Sequence, residues 1–247
     1  MIGDTAHADA YMRRFREASP FPVSPFYMVE RDILRENYDR ADAALQQYLD
    51  SPRPDEVGQA LWLETIVLRN QGRIQEALRL VGNSKSPDDM NAATAAMESG
   101  NAALALPRFR ARAGVDVSFL SPTLQARNRT WNFTLVGMAL LAAGDTAAVR
   151  PLADTVEYWG RRSLFGRDNR AHHYLRGMLL IAAGKDNEAV PHLRAAIHSP
   201  TNGFTRVNYE LGKALLRLNR PAEAVPLVRA ALHGGIDGSN LYVTRTD

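Results

Sequence analysis

Apolar residues along this chain recur every three or four positions, in blocks that repeat themselves. Residues 137–144 read GMALLAAG and residues 177–184 read GMLLIAAG, an offset of 40. Glu188-Ala189-Val190-Pro191 returns as Glu223-Ala224-Val225-Pro226, an offset of 35. In the same frame Arg194-Ala195-Ala196-Ile197 returns as Arg229-Ala230-Ala231-Leu232. Leu211 and Leu215 before Asn219–Pro221, and Ala224, Val228 and Ala231 after it, keep the period of an α-helix. Each block therefore predicts two helices joined by a short turn. Gly144-Asp145, Gly184-Lys185 and Asn219-Arg220 supply the left-handed residue that closes the first helix. Pro221 opens the second, where its missing N–H costs little. Gly212 and Ala224 are small enough for the two backbones to approach closely.

This pattern resembles the tetratricopeptide repeat, a helix–turn–helix unit of about 34 residues. The small and large positions of that motif are matched by Gly212, Leu215, Ala224, Val228 and Ala231, and by Gly177, Leu180, Ala189, Leu193 and Ala196. Earlier stretches match through Leu61, Thr65, Leu68, Gly72, Ala77 and Val81, through Ala93, Ala96, Gly100, Ala105 and Phe109, and through Gly137 and Leu140. Tyr38, Ala41, Leu45 and Leu49 fit a second helix near the N-terminus. The resemblance implies an all-α fold, a right-handed α-α superhelix of about six units over roughly 25–52, 58–84, 86–112, 124–157, 170–199 and 205–233. Residues 1–247 would form one domain, with 234–247 opening a further helix or folding back as a cap. An incomplete last helix fits the repeat module of a larger bacterial signalling or regulatory protein. The spacing departs from the motif through insertions at Gly114–Pro122 and Arg161–Arg170. Val149-Arg150-Pro151 reads one position out of step with its neighbours. Pro191 and Pro226, inside their helices, are expected to bend or loosen them.

Composition changes this picture little. The chain has 247 residues, 45% apolar and 23% charged, with no cysteine and a net charge of +3. Disulfides, thiolate metal sites and a cysteine nucleophile are thereby excluded. The charge is unevenly placed. Residues 1–100 hold 11 Lys/Arg against 16 Asp/Glu, and residues 101–247 hold 19 against 11. Such a gradient can orient an encounter with a charged partner. The first twenty residues lack the apolar core of a secretory signal, and the apolar runs are too short to span a bilayer. A cytoplasmic, non-membrane protein is expected. No phosphate-binding glycine loop, nucleophile elbow or helical zinc motif occurs among the six histidines. His172-His173 opens a helix, so the two rings are expected on different faces. Neither enzyme chemistry, nor a cofactor, nor a metal is predicted.

Binding is the expected function. In the repeat family the first helix of each pair lines a concave groove. Carried over position by position, that lining comprises Trp62, Ile66 and Arg69, then Trp131, Thr134, Met138 and Leu141, then Ala171, Tyr174, Met178 and Ile181, and last Arg206, Tyr209, Lys213 and Leu216. Trp, Tyr and Arg are enriched at binding hot spots. A protein or peptide with apolar anchors and an acidic portion would complement them, in a scaffold or adaptor role. The carboxylate clamp of some family members is not reproduced, because Thr134 and Met138 stand where it uses lysine and asparagine. The alternative is nucleic-acid binding. Arg108, Arg110, Arg112, Arg127 and Arg129 lie along one stretch, and Arg161, Arg162, Arg167 and Arg170 share a loop region with Trp159 and Phe165. Arginine can hold phosphates and aromatic rings can stack bases.

Overall fold

The structure, a computed structural model, describes residues 5–18, 26–82, 89–196 and 205–231. Among these residues every regular element is helical, with no strand. The helices are α1 (Thr5–Ala18), α2 (Tyr27–Leu34), α3 (Tyr38–Leu49), α4 (Pro54–Asn70), α5 (Ile74–Gly82), α6 (Met90–Glu98) and α7 (Ala102–Ala113). They continue with α8 (Pro122–Ala142), α9 (Thr146–Gly160), α10 (Ala171–Ala182), α11 (Asp186–Ala195), α12 (Thr205–Arg217) and α13 (Pro221–Ala231), with a single 3-10 turn at Asp168–Arg170. None of them is long and apolar enough to cross a membrane. The expected further helix or cap at 234–247 lies outside the described residues.

Contacts divide the chain into two compact units, Met1–Val67 and Leu68–Asp247, where the repeat pattern predicts one continuous domain. In the first unit α2 and α3 pair, with Ala41 and Leu45 fully buried and the Phe26 ring 4.7 Å from that of Tyr48. In the second unit, which begins with the last residues of α4, α5 packs on α6, and each helix from α6 to α13 packs on its successor. Helix α8 also touches α10.

One local device recurs at every hairpin. Glu36, Gly72, Gly100, Gly144, Gly184 and Asn219 all have φ between 58° and 78°. The next residue in each case donates its N–H to the carbonyl five positions back: Asn37 to Asp32, Arg73 to Leu68, Asn101 to Ala96, Asp145 to Leu140, Lys185 to Leu180, and Arg220 to Leu215. This six-to-one bond satisfies a carbonyl that the helix end leaves open. Asn101 and Asp145 then accept from the N–H groups of Leu104 and Ala148, capping the next helix. The fourth residue of each second helix is fully buried: Ala41, Ala77, Ala105, Val149, Ala189 and Ala224. Val149 therefore keeps register with its neighbours, and no slip occurs. Glu36 is the costly member of the turn series, because a left-handed residue with a Cβ is strained and, unlike the asparagine of Asn219, glutamate does not adopt that region readily. Replacing Glu36 with glycine is expected to raise stability by about 0.5–1 kcal/mol, read by urea denaturation.

The prolines fall at another fixed place. Pro107, Pro151, Pro191 and Pro226 are each the sixth residue of α7, α9, α11 and α13. Each helix continues through its proline. All four prolines are exposed, so water can satisfy the carbonyl that loses its N–H partner. Close packing on the other face holds these helices in place. A Cβ added at Gly212 would meet Val228 Cγ2 at 2.6 Å, and one at Gly177 would meet Leu193 at 2.8 Å. Arginine–carboxylate pairs link successive hairpins at the surface: Arg176 reaches Asp154 at 2.8 Å and Glu157 at 2.7 Å, Arg217 reaches Asp186 at 2.6 Å, and Arg194 pairs with Glu223.

Candidate binding surfaces

The two insertions meet at the first turns of α8. The loop before α8 is tied down by Gln125, whose side-chain amide donates to Leu120 O at 2.7 Å. The loop after α9 is tied down by Leu164, whose N–H donates to Thr123 Oγ1 at 2.8 Å. Asp168 anchors this second loop from inside. It is fully buried, and its carboxylate accepts from Trp131 Nε1 at 2.9 Å and from Ser163 Oγ at 2.6 Å. Gly160 makes room for it, since a Cβ there would lie 2.5 Å from the Asp168 carbonyl oxygen. The loops leave large apolar tips in solvent, with Phe119 80% and Leu164 87% exposed.

These contacts decide the fate of several predicted site residues. Trp131 and Tyr174 are 9% and 3% exposed. Thr134 is fully buried. Their faces are covered within the second unit, so they offer no surface to a partner. Met138 is buried, and Met178 is partly buried against the same core. Arg69 is also withdrawn: it is buried in a bidentate pair with Glu98, Nη2 reaching Oε1 at 2.5 Å. Trp62 is partly exposed, and Arg206 is partly buried. Tyr209 and Lys213 are both partly exposed: the Lys213 ammonium lies 4.3 Å from the Tyr209 ring centre and 3.0 Å from Glu210 Oε1.

The arginines of the alternative site are mostly engaged within the chain. Arg170 donates to the carbonyls of Ala195 at 2.8 Å and Ala196 at 2.7 Å, closing the end of α11. Arg161 pairs with Glu157. Arg162 lies 3.5 Å over the Tyr158 ring, and Arg167 lies 5.8 Å from that of Trp131. Arg127 covers Phe165 at 4.1 Å, and Arg129 faces Trp159 at 5.2 Å. The expected mixture of arginine and aromatic residues is real, but it packs upon itself.

An open groove lies on the other side of α8. About 500 Å³ in volume, it runs between α7, α8 and α9, over Phe133, Val136, Leu140 and Leu152. Ala113, Gly114 and Ala148 border it, and their small side chains leave the space unfilled. Arg110 and Arg129 provide its only charges. The Arg110 side chain is exposed and makes no hydrogen bond or ion pair among the described residues. At about 100° per residue, Arg129, Phe133, Val136 and Leu140 fall on the side of α8 opposite Trp131, Thr134 and Met138. The repeat register thus points to one face of this helix, and the open volume lies along the other. The unbroken apolar spacing of residues 133, 136 and 140 is the signal in the sequence that marks this second face.

The histidines cluster where different faces were expected. His172 and His173 have ring centres 4.1 Å apart, and His173 lies 5.4 Å from His192 of α11. Burial pushes the His172 imidazole down to about 4, and His173 beside it adds to the effect. No group of three or more metal-ligating side chains occurs among the described residues. Comparison with protein-family models and with curated proteins finds no match for the chain.

Proposed function

We propose that the chain is a divergent tetratricopeptide-like α-solenoid that binds a segment of a partner protein, and that it acts as a scaffold or adaptor rather than an enzyme. The six hairpins with one turn chemistry support the repeat reading, because stacked helix pairs bury together what none can bury alone. The observation that carries the binding reading is the groove between α7, α8 and α9. Its floor is apolar, it is open to solvent, and it has an unpaired arginine at its edge. An apolar side chain with a carboxylate nearby matches both features. The nucleic-acid reading has less support, since Arg161 and Arg170 are committed to Glu157 and to the end of α11.

Selection from a random peptide library on the folded protein tests this reading. Enriched peptides are expected to combine a large apolar residue with Asp or Glu. Binding of one such synthetic peptide, followed by fluorescence polarisation, should weaken about tenfold or more with Arg110→Glu. Gly114→Leu should weaken it as well, since a Cβ there has only ordinary contacts, the nearest at 3.5 Å, and a larger side chain would narrow the groove. Enriched peptides without carboxylates, or affinities unmoved by both variants, would overturn it.

A further inference from the structure

The hairpin of α10 and α11 carries a second, unrelated feature. His173 and His192 direct their Nδ1 atoms at each other across the two helices, 3.2 Å apart. A single N–H···N hydrogen bond accounts for that distance. So does a shared metal ion. Imidazole nitrogens bind a late divalent metal at about 2.0–2.1 Å. Two such nitrogens 3.2 Å apart subtend an angle of about 100° at the ion, close to tetrahedral.

We propose that His173 and His192 form a two-histidine site for a late first-row divalent metal ion, the ion clipping α10 to α11. The placement of the two rings is built into the fold. His173 lies one turn before Gly177, and His192 adjoins Leu193. Gly177 and Leu193 are in tight contact, since a Cβ at Gly177 would sit 2.8 Å from Leu193. The helices are thus held at a separation that brings the two imidazoles together with no flexible loop involved. Both rings are partly exposed, so water can complete the coordination. The neighbouring cations are already occupied: Arg176 by Asp154 and Glu157, and Arg170 by the carbonyls ending α11. His172 stacks on His173 from the buried side and limits its rotation.

With two protein ligands the site is open and exchangeable, and preference follows the order of imidazole affinity, copper(II) above zinc and nickel. The residues are 19 apart across a turn, a spacing that matches none of the familiar zinc patterns, which explains why the sequence predicts no metal here. This site is independent of the groove, and either proposal can fail without the other.

The test uses the full chain free of any affinity tag and stripped with chelator, titrated with zinc chloride and separately with nickel chloride. One ion per chain is expected by calorimetry, with the melting midpoint raised by about 5 °C at a hundredfold excess over Kd. His173→Gln and His192→Gln should each weaken binding about tenfold or more, while His7→Gln leaves it unchanged. Nitrogen NMR of histidine-labelled wild-type protein provides a check that does not depend on variant folding. Nδ1 signals of two histidines should move on adding zinc, and assignment should place them at 173 and 192. No stabilisation by either metal, equal stabilisation of His192→Gln, or Nδ1 shifts larger at other histidines than at 173 and 192 would overturn the proposal.

Discussion

Replacing Glu98 with alanine lowers the stability of the second unit by about 3–5 kcal/mol. Glu98 and Arg69 form a bidentate pair whose side chains are 3% and 10% exposed. Removing the carboxylate leaves a guanidinium with neither its partner nor water, and that uncompensated charge carries most of the cost. Arg69→Ala takes the guanidinium away from a buried carboxylate and is destabilising too. The two changes are strongly non-additive, because the second removes a charge that the first has already left unpaired. The double variant Arg69→Met, Glu98→Leu is therefore expected to recover most of the loss. Urea denaturation of the four proteins, analysed as a double-mutant cycle, checks this. Equal and additive losses would show that the pair is solvated.

Asp168→Ala is expected to cost about 2–4 kcal/mol and to loosen the loop after α9. The carboxylate is fully buried and accepts from both the Trp131 indole and the Ser163 hydroxyl. Alanine leaves a buried indole N–H without that acceptor, and such a group costs more than an average hydrogen bond gains. Asp168→Asn should retain most of the stability, since an amide can accept from the indole and donate to the serine oxygen. The readouts are the unfolding midpoint and proteolysis at Arg161 and Arg162, which should quicken in the alanine variant only. Equal proteolysis in both variants would mean that the charge, and not the hydrogen bonds, holds the loop.

The features legible in the sequence are those with local causes. The hairpin turns were visible at Gly144, Gly184 and Asn219 because a left-handed residue is needed there, whatever packs nearby. Glu36 gives no such signal, because glutamate is not a residue type that marks the left-handed region. The apparent slip at Val149 comes from matching this valine to Val190 and Val225; aligning Pro107, Pro151, Pro191 and Pro226 instead restores the register. Less of the candidate site is legible. Helix α8 is buried over most of its circumference, so its hydrophobic pattern does not say which side stays open. Arg69, Trp131 and Tyr174 have the composition of a binding surface, yet their partners lie far along the chain. For Arg69 and Trp131 these are Glu98 and Asp168.

The amino-acid order by itself determined that this chain is helical, where its glycine- and asparagine-marked hairpins turn, and which small residues bury in most of the second helices. Each of these follows from backbone conformation and from neighbours within one or two turns. Only the tertiary structure decided that two separate insertions meet on α8, that predicted contact residues are buried, that a groove stays open between α7 and α9, and that two histidines face each other across α10 and α11. Those outcomes depend on side chains distant in sequence competing for the same space, and no local pattern encodes which of them wins.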